Sequence, residues 1–138
     1  MTTIRRGLEE DLPAIQAIQA ASPEASQWNA RDYLGYDLWV AESGGAITGF
    51  LVAQPLTPGE GELLNLAVAP DWRRRGVAKA LIQTFFGEFP AVAHLEVRAG
   101  NLAARNLYKS MGFKEVNLRP KYYDSPEESA IVMKFHSC

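Results

Sequence analysis

The sequence predicts an α/β fold: a mixed, mostly antiparallel sheet with helices on both faces. Three observations lead there. Short runs rich in branched and aromatic residues, bounded by Gly and Pro, read as strands. Segments with apolar residues at three- and four-residue spacing read as helices. The two are unevenly ordered, with an early group of consecutive strands and then strands alternating with helices, the pattern of one mixed sheet. A chain of 138 residues that is 47% hydrophobic is large enough to bury a core, and residues 1–138 read as one domain.

The elements follow in order. "TTIRRG" is a short first strand. "LEEDLPAIQAIQAA" is a helix: Leu12, Ile15 and Ile18 share a face, and Glu9, Glu10 and Asp11 suit a positive helix N-terminus. "SPEASQWNARDYLGY" reads as loop and a short helix. "DLWVAES" and "AITGFLVAQP" form a hairpin across Gly44-Gly45. "GELLNLAVAP" is a strand that Pro70 stops. "RGVAKALIQTFFGEF" is a helix with Val77, Leu81 and Phe85 on one stripe, closed by Gly87 and Pro90. "VAHLEVRA" is a strand. "NLAARNLYKSMG" is a helix capped by Asn101, with Gly112 past its end. "FKEVNL" and "SAIVMKFH" are closing strands, and the segment between them reads as a loop.

Composition narrows the function. Fourteen basic against sixteen acidic residues give a net charge of −2, a poor balance for general nucleic-acid binding. The one cysteine is Cys138, so a disulfide framework within the chain is impossible, which fits a reducing cytoplasm. His94 and His136 lie on separate strands and no metal-ligand spacing exists, so no metal is expected. No apolar stretch approaches the length of a membrane span, and the N-terminus lacks a signal-peptide core. The expectation is a soluble cytoplasmic protein, a monomer or homodimer, with no nucleic acid and no membrane as partner.

The stretch "APDWRRRGVAKALI" is the most informative. An apolar strand stops at Pro70, three arginines precede Gly76, and a helix begins. The first turn of a helix has N–H groups without intrahelical partners, and these favour an anion. Gly76 and the small Ala78 leave room, and arginines could add charge-assisted bonds to a phosphate. The bland alternative is a solvated basic turn. Neither the phosphate loop of nucleotide hydrolases nor the dinucleotide fingerprint is present.

Arg73-Arg74-Arg75-Gly76-Val77-Ala78 matches the [Q/R]-x-x-G-x-[G/A] signature of the GNAT acetyltransferases, and the chain resembles that superfamily over nearly its whole length. "LEVRAGNLAARNLYKSMGF" and "RPKYYDSPEESAIVMK" resemble its bacterial ribosomal-protein-alanine N-acetyltransferase (RimI) type, and "SQWNARDY" matches that type's substrate-side helix more weakly. The resemblance implies a single GNAT-like domain with a splay between the fourth and fifth strands. It implies acetyl-coenzyme A as cosubstrate, its pyrophosphate held by the backbone of Arg73, Arg74, Arg75, Gly76, Val77, Ala78 and Lys79. Backbone groups of Leu66, Ala67 and Val68 would pair with the pantetheine arm, and Asn101 would touch the coenzyme.

Glu96 is then the implied general base and Tyr108 the implied general acid beside the coenzyme sulfur. From the pattern alone, Glu96 lies with His94 and Arg98 on the polar face of a half-buried strand, and Tyr108 falls on a core stripe with Ala104 and Met111. Tyr122 and Tyr123, and more weakly Trp28, are the implied acceptor-side residues. Without the resemblance, the two tyrosines would read as a hydrophobic lid or surface anchor. The sequence departs from the RimI type at Ala69, at Ser129, in a shorter segment between Tyr123 and Ala130, and in a helix that ends early at "GEFP".

The function this implies is acetyl-coenzyme A-dependent acetylation of a protein N-terminal α-amine, with the N-terminal alanine of a ribosomal protein as the acceptor of the RimI type. A small-molecule amine or a lysine is the alternative acceptor, and a non-catalytic coenzyme A-binding module is a further alternative.

Overall fold

The structure, a computed structural model, describes residues 1–124 and 127–137, with the backbone alone at 121, 123, 124 and 127. Cys138 lies outside the described residues. The chain divides into two compact units, Met1–Gln54 with Leu63–Glu88 and Pro55–Glu62 with Phe89–Cys138.

In the first unit β1 (Thr2–Arg6), β2 (Asp37–Ser43), β3 (Ala46–Thr57) and β4 (Glu60–Val68) lie in that order, with β1–β2 and β2–β3 antiparallel. The ends of β3 and β4 at residues 55–62 belong to the second unit. Gly44 and Gly45 turn β2 into β3 with φ of 59° and 83°, the left-handed pair that a two-residue hairpin requires. Strand alternation separates the two faces. Leu38, Val40, Phe50 and Val52 meet Leu12, Ile15 and Ile18 of α1 (Leu12–Ala20), together with Tyr33. Gly49 belongs to the opposite face, where α2 (Val77–Glu88) packs. A Cβ on Gly49 would lie 3.1 Å from both Ala67 O and Val77 Cγ1. Only glycine lets the start of α2 come so near the sheet.

Asp11 ends the 3₁₀ turn Glu9–Asp11 before α1. Its carboxylate accepts both arms of the Arg5 fork, at 2.8 and 3.0 Å, and the Leu8 N–H at 2.8 Å. The Arg5 guanidinium, helped by the Leu8 N–H, holds this buried carboxyl below the usual aspartate range. Asp11 thus braces β1, while Glu9 pairs with Arg31 at 2.6 Å.

In the second unit β5 (Val92–Arg98), β6 (Lys114–Asp124) and β7 (Glu127–His136) lie in the order β5-β7-β6, both pairings antiparallel. Between β5 and β6 runs α3 (Leu102–Ser110). The buried Tyr108 of α3 meets Phe113 edge-on, with centroids 5.6 Å apart, and Phe113 meets Phe135 of β7 at 6.0 Å. Gly112 leaves α3 with φ of 101°.

Three expectations are corrected. Helix α2 runs through Gly87 to Glu88, so that glycine does not close it. The short helix near residues 26–33 is a 3₁₀ helix at Ala30–Gly35, and Trp28 lies in the loop before it. The segment between the closing strands is mostly strand: β6 continues to Asp124 and β7 begins at Glu127. Strand β6 accommodates Pro120 because it ends the strand order and its ladder shifts register between Arg119 and Tyr123, the places where a sheet accepts proline.

Candidate functional site

The turn before α2 is a backbone device. Pro70–Trp72 form a 3₁₀ turn, and residues 73–76 lead into the helix. Arg74 has φ of 63°, the only positive value outside glycine among the described residues, and Gly76 follows with φ of 82°. Left-handed residues alternating with ordinary ones turn peptide N–H groups into an anion-binding nest. A Cβ on Gly76 would meet nothing within 4 Å, so the space above it is open. The glycine is therefore required by its backbone angle and by whatever approaches it. The i→i−4 bonding of α2 begins with the Ala80 N–H to Gly76 O at 3.0 Å, which leaves the N–H groups of Val77, Ala78 and Lys79 at the donor-rich end of a helix.

The arginines divide their work. Arg73 reaches back: its Nε donates to Val68 O at 3.1 Å and its Nη2 to Ser22 Oγ at 3.1 Å and Ala21 O at 3.4 Å. Its guanidinium braces the turn against β4 and the end of α1. Arg75 lies over the Trp72 ring at 5.2 Å, a cation–π contact. Their peptide groups belong to the turn whatever the side chains do.

Asn65, next to Leu66 in β4, belongs to a buried polar cluster that the sequence did not reveal. Asn65 Nδ2 donates to Tyr33 Oη at 2.9 Å and to Ser26 O at 3.0 Å. Tyr33 Oη donates to Gln19 Oε1 at 2.5 Å, and Gln19 Nε2 donates to Trp28 O at 2.5 Å. Burial pushes the Tyr33 phenol up, so it stays a neutral donor. Asn65 Oδ1 accepts the Leu66 N–H at 3.0 Å. The cluster thus joins β4, α1 and the loop that holds Trp28, whose ring is partly exposed and lies 6.2 Å from that of Tyr33.

In the second unit, β5 alternates as its sequence predicts. Ala93, Leu95 and Val97 are buried, while His94, Glu96 and Arg98 are half-buried on the other face. Each of the three has a side-chain partner. His94 Nε2 meets Glu60 Oε2. Thr57 and then His94 hold the Glu60 carboxyl below its usual range through hydrogen bonds. Arg98 Nη1 lies 3.4 Å from Glu128 Oε1, and Glu128 Oε2 accepts the Gly100 N–H at 2.5 Å. Glu96 Oε1 lies 3.1 Å from Arg119 Nη1. The guanidinium of Arg119 lies over the exposed Tyr122 ring at 5.3 Å. The structure therefore brings Glu96 and Tyr122 into one chain of contacts through Arg119. Sequence reading missed Arg119, because only strand register reveals the pairing. The side chain of Tyr123 lies outside the described residues.

Helix α3 begins as expected, with Asn101 Oδ1 accepting the Ala104 N–H at 3.2 Å. Glu128 supports the turn before it: a Cβ on Gly100 would lie 2.7 Å from Glu128 Oε2. Tyr108 is 6% exposed, so its ring is a packing element and its chemistry would be confined to the phenol. Among the described residues no group of His, Cys, Asp and Glu could hold a metal ion, and no helix is long and apolar enough to cross a membrane.

Comparison with known proteins gives this geometry a family. The model of the acetyltransferase (GNAT) family matches residues 3–113. The [ribosomal protein bS18]-alanine N-acetyltransferase of Escherichia coli (strain K12) is 34% identical over 147 aligned positions, covering 96% of each chain. A crystal structure of the ribosomal-protein-S18-alanine N-acetyltransferase from Escherichia coli superposes with a TM-score of 0.84 at 32% identity, covering 99% of this chain and 94% of that one. Ard1 from Thermoplasma volcanium gives a TM-score of 0.89 at 26% identity, covering 99% and 98%. The GNAT-like α/β fold with its mixed sheet, expected from the sequence, is the fold of these proteins. The chain is an N-acetyltransferase and belongs to the GNAT family.

Proposed function

We propose that this enzyme transfers the acetyl group of acetyl-coenzyme A to the α-amine of a protein N-terminus, with the N-terminal alanine of a ribosomal protein as the acceptor its relatives suggest. The observation that carries the reading is the Glu96 carboxylate, half-buried on the polar face of β5 and held at 3.1 Å by Arg119.

The roles follow from chemistry. The backbone of residues 73–79 receives the pyrophosphate, supported by the left-handed Arg74 and Gly76 and the open space above Gly76. Backbone groups of Leu66, Ala67 and Val68 hold the pantetheine arm, and Asn101 adds a coenzyme contact. The acceptor nitrogen attacks the thioester carbonyl, an N–C bond forms and the C–S bond breaks. Glu96 takes the proton released by nitrogen, directly or through water. The Tyr108 phenol supplies a proton or a strong hydrogen bond to the departing sulfur. Trp28, Tyr122 and Tyr123 are the acceptor-side aromatics.

Magnitudes favour an α-amine. Its reference pKa is about 7.7–8.0 against about 10.4 for lysine. Freeing the amine at pH 7 therefore costs about 1 kcal/mol for the first and about 4.6 kcal/mol for the second. A lone carboxylate base suits the easier task. The test is an acetylation assay with acetyl-coenzyme A on three acceptor classes: peptides with free N-termini, N-blocked lysine peptides and small amines. Turnover of free N-termini is expected; turnover of blocked lysine peptides alone would overturn the reading.

A further inference from the structure

Of His94, Glu96 and Arg98 along the polar face of β5, Glu96 has the least ordinary partner. Arg119 comes from β6, and β7 lies between β6 and β5. At about 4.8 Å per strand spacing, the pair spans about 10 Å of sheet. The register makes this crossing possible. On β7, Val132 stands opposite Glu96 and Asn117, and Ala130 stands opposite Arg98 and Arg119. Directly opposed residues share a face, so Glu96, Val132, Ala130 and Arg119 all lie on one side. Ala130 is small and fully buried, and leaves room for a guanidinium to pass over it.

Arg119 is itself 52% exposed, and a long exposed side chain resists being fixed because it loses rotamer freedom. Here its guanidinium has two partners: Nη1 lies 3.1 Å from Glu96 Oε1, and Cζ lies over the Tyr122 ring at 5.3 Å. An ion pair with one partner half in solvent is screened and contributes modestly to folding, so stability gives a weak account of the arrangement. Orientation gives a stronger one, because a general base works only when its oxygen is aimed at the proton it takes.

We propose that Arg119 is a positioning residue for the transfer reaction: reaching across β7 from β6, and steadied by Tyr122, it aims the Glu96 carboxylate at the acceptor nitrogen. This rests on the reading of Glu96 as the base. Arg119 acts on the rate through Glu96 and leaves coenzyme binding alone.

A double-mutant cycle tests this. Thiol release from acetyl-coenzyme A is followed with whichever of an N-terminal-alanine peptide, an N-blocked lysine peptide or a small amine the wild-type enzyme turns over. Arg119→Gln should lower kcat about tenfold, with KM for the acceptor and Kd for acetyl-coenzyme A within about twofold and thermal stability nearly unchanged. Arg119→Lys keeps the charge but loses the fork, and should fall between the two. In a Glu96→Gln background, Arg119→Gln should cost nothing further. Full activity of Arg119→Gln, or an additional tenfold loss in the Glu96→Gln background, would overturn the proposal while leaving the base assignment standing. Full activity of Glu96→Gln would remove the base and the proposal together. Absence of thiol release by the wild type with all three acceptors would overturn the functional reading beneath both.

Discussion

The turn at residues 73–76 and the polar face of β5 are built by opposite means. The turn works through backbone conformation: Arg74 and Gly76 take left-handed φ values, the Gly76 Cβ position is open, and the Arg73 guanidinium serves as a brace. The β5 face works through side chains, each held by a carboxylate or guanidinium partner from elsewhere in the second unit. A site for a large, constant anion needs only amides in a fixed pattern. A site that moves a proton needs one functional group in one orientation. The two should therefore break differently under substitution: the first through backbone geometry and space, the second through the loss of a single oxygen.

The largest expected effect is at the turn. Gly76→Glu should weaken acetyl-coenzyme A binding by more than about 100-fold, read by calorimetry. A side chain there would fill the open space and set a carboxylate against the pyrophosphate proposed to lie there, while the left-handed backbone adds a cost of about 1–2 kcal/mol. Arg74→Ala, which keeps the peptide groups, should change that affinity by no more than about threefold. Equal losses at the two positions would mean that arginine charge, and not the backbone, holds the anion.

Glu96→Gln is next. It keeps the shape of the side chain and removes its basicity, so kcat should fall about 10²–10³-fold while acetyl-coenzyme A affinity stays within about twofold. A variant that lost affinity and rate in parallel would erase the distinction between the two regions.

The remaining two effects concern the scaffold. Tyr33→Phe deletes a buried hydroxyl that donates to Gln19 and accepts from Asn65, and should cost about 1–3 kcal/mol in denaturant unfolding. Removal of the Asp11 carboxylate by Asp11→Asn should cost about 1 kcal/mol at pH 7, since the Arg5 partner is partly exposed and screened. The sign follows from linkage. The carboxyl of Asp11 titrates lower in the folded protein than its ordinary value. Its contribution is therefore complete above about pH 3.9 and disappears as pH falls through the lowered native value. The wild-type and Asp11→Asn stability curves should converge in acid; parallel curves down to the lowest pH would show that the Arg5–Asp11 pair is energetically silent.

What the sequence disclosed tracks the same divide. Features set by local chemistry were legible. Gly44-Gly45 marked a hairpin, Asn101 a helix cap, Gly112 a helix exit, and the alternation of residues 92–98 put His94, Glu96 and Arg98 on one face. The space that Gly76 leaves is legible in sequence, whereas its φ of 82° is set by the fold. Features set by register or by long-range burial were not legible. Arg119 meets Glu96 only because β7 sets β5 and β6 in a particular alignment. Gln19, Tyr33 and Asn65 are polar residues of ordinary appearance in sequence, and their meeting in the core depends on how α1, the 3₁₀ helix at Ala30–Gly35 and β4 pack. The charge of Arg73 is visible in sequence, whereas its partners Ser22 and Val68 are set by the fold because neither is adjacent to it.

The acceptor is the central claim, and one peptide decides it. A peptide with a free N-terminal alanine and a single internal lysine presents both amines to the enzyme at equal concentration. After incubation with acetyl-coenzyme A at neutral pH, tandem mass spectrometry locates the acetyl group. Acetylation of the N-terminal nitrogen, with the lysine unmodified, is the predicted result. Acetylation of the lysine with the N-terminus left free would contradict the account.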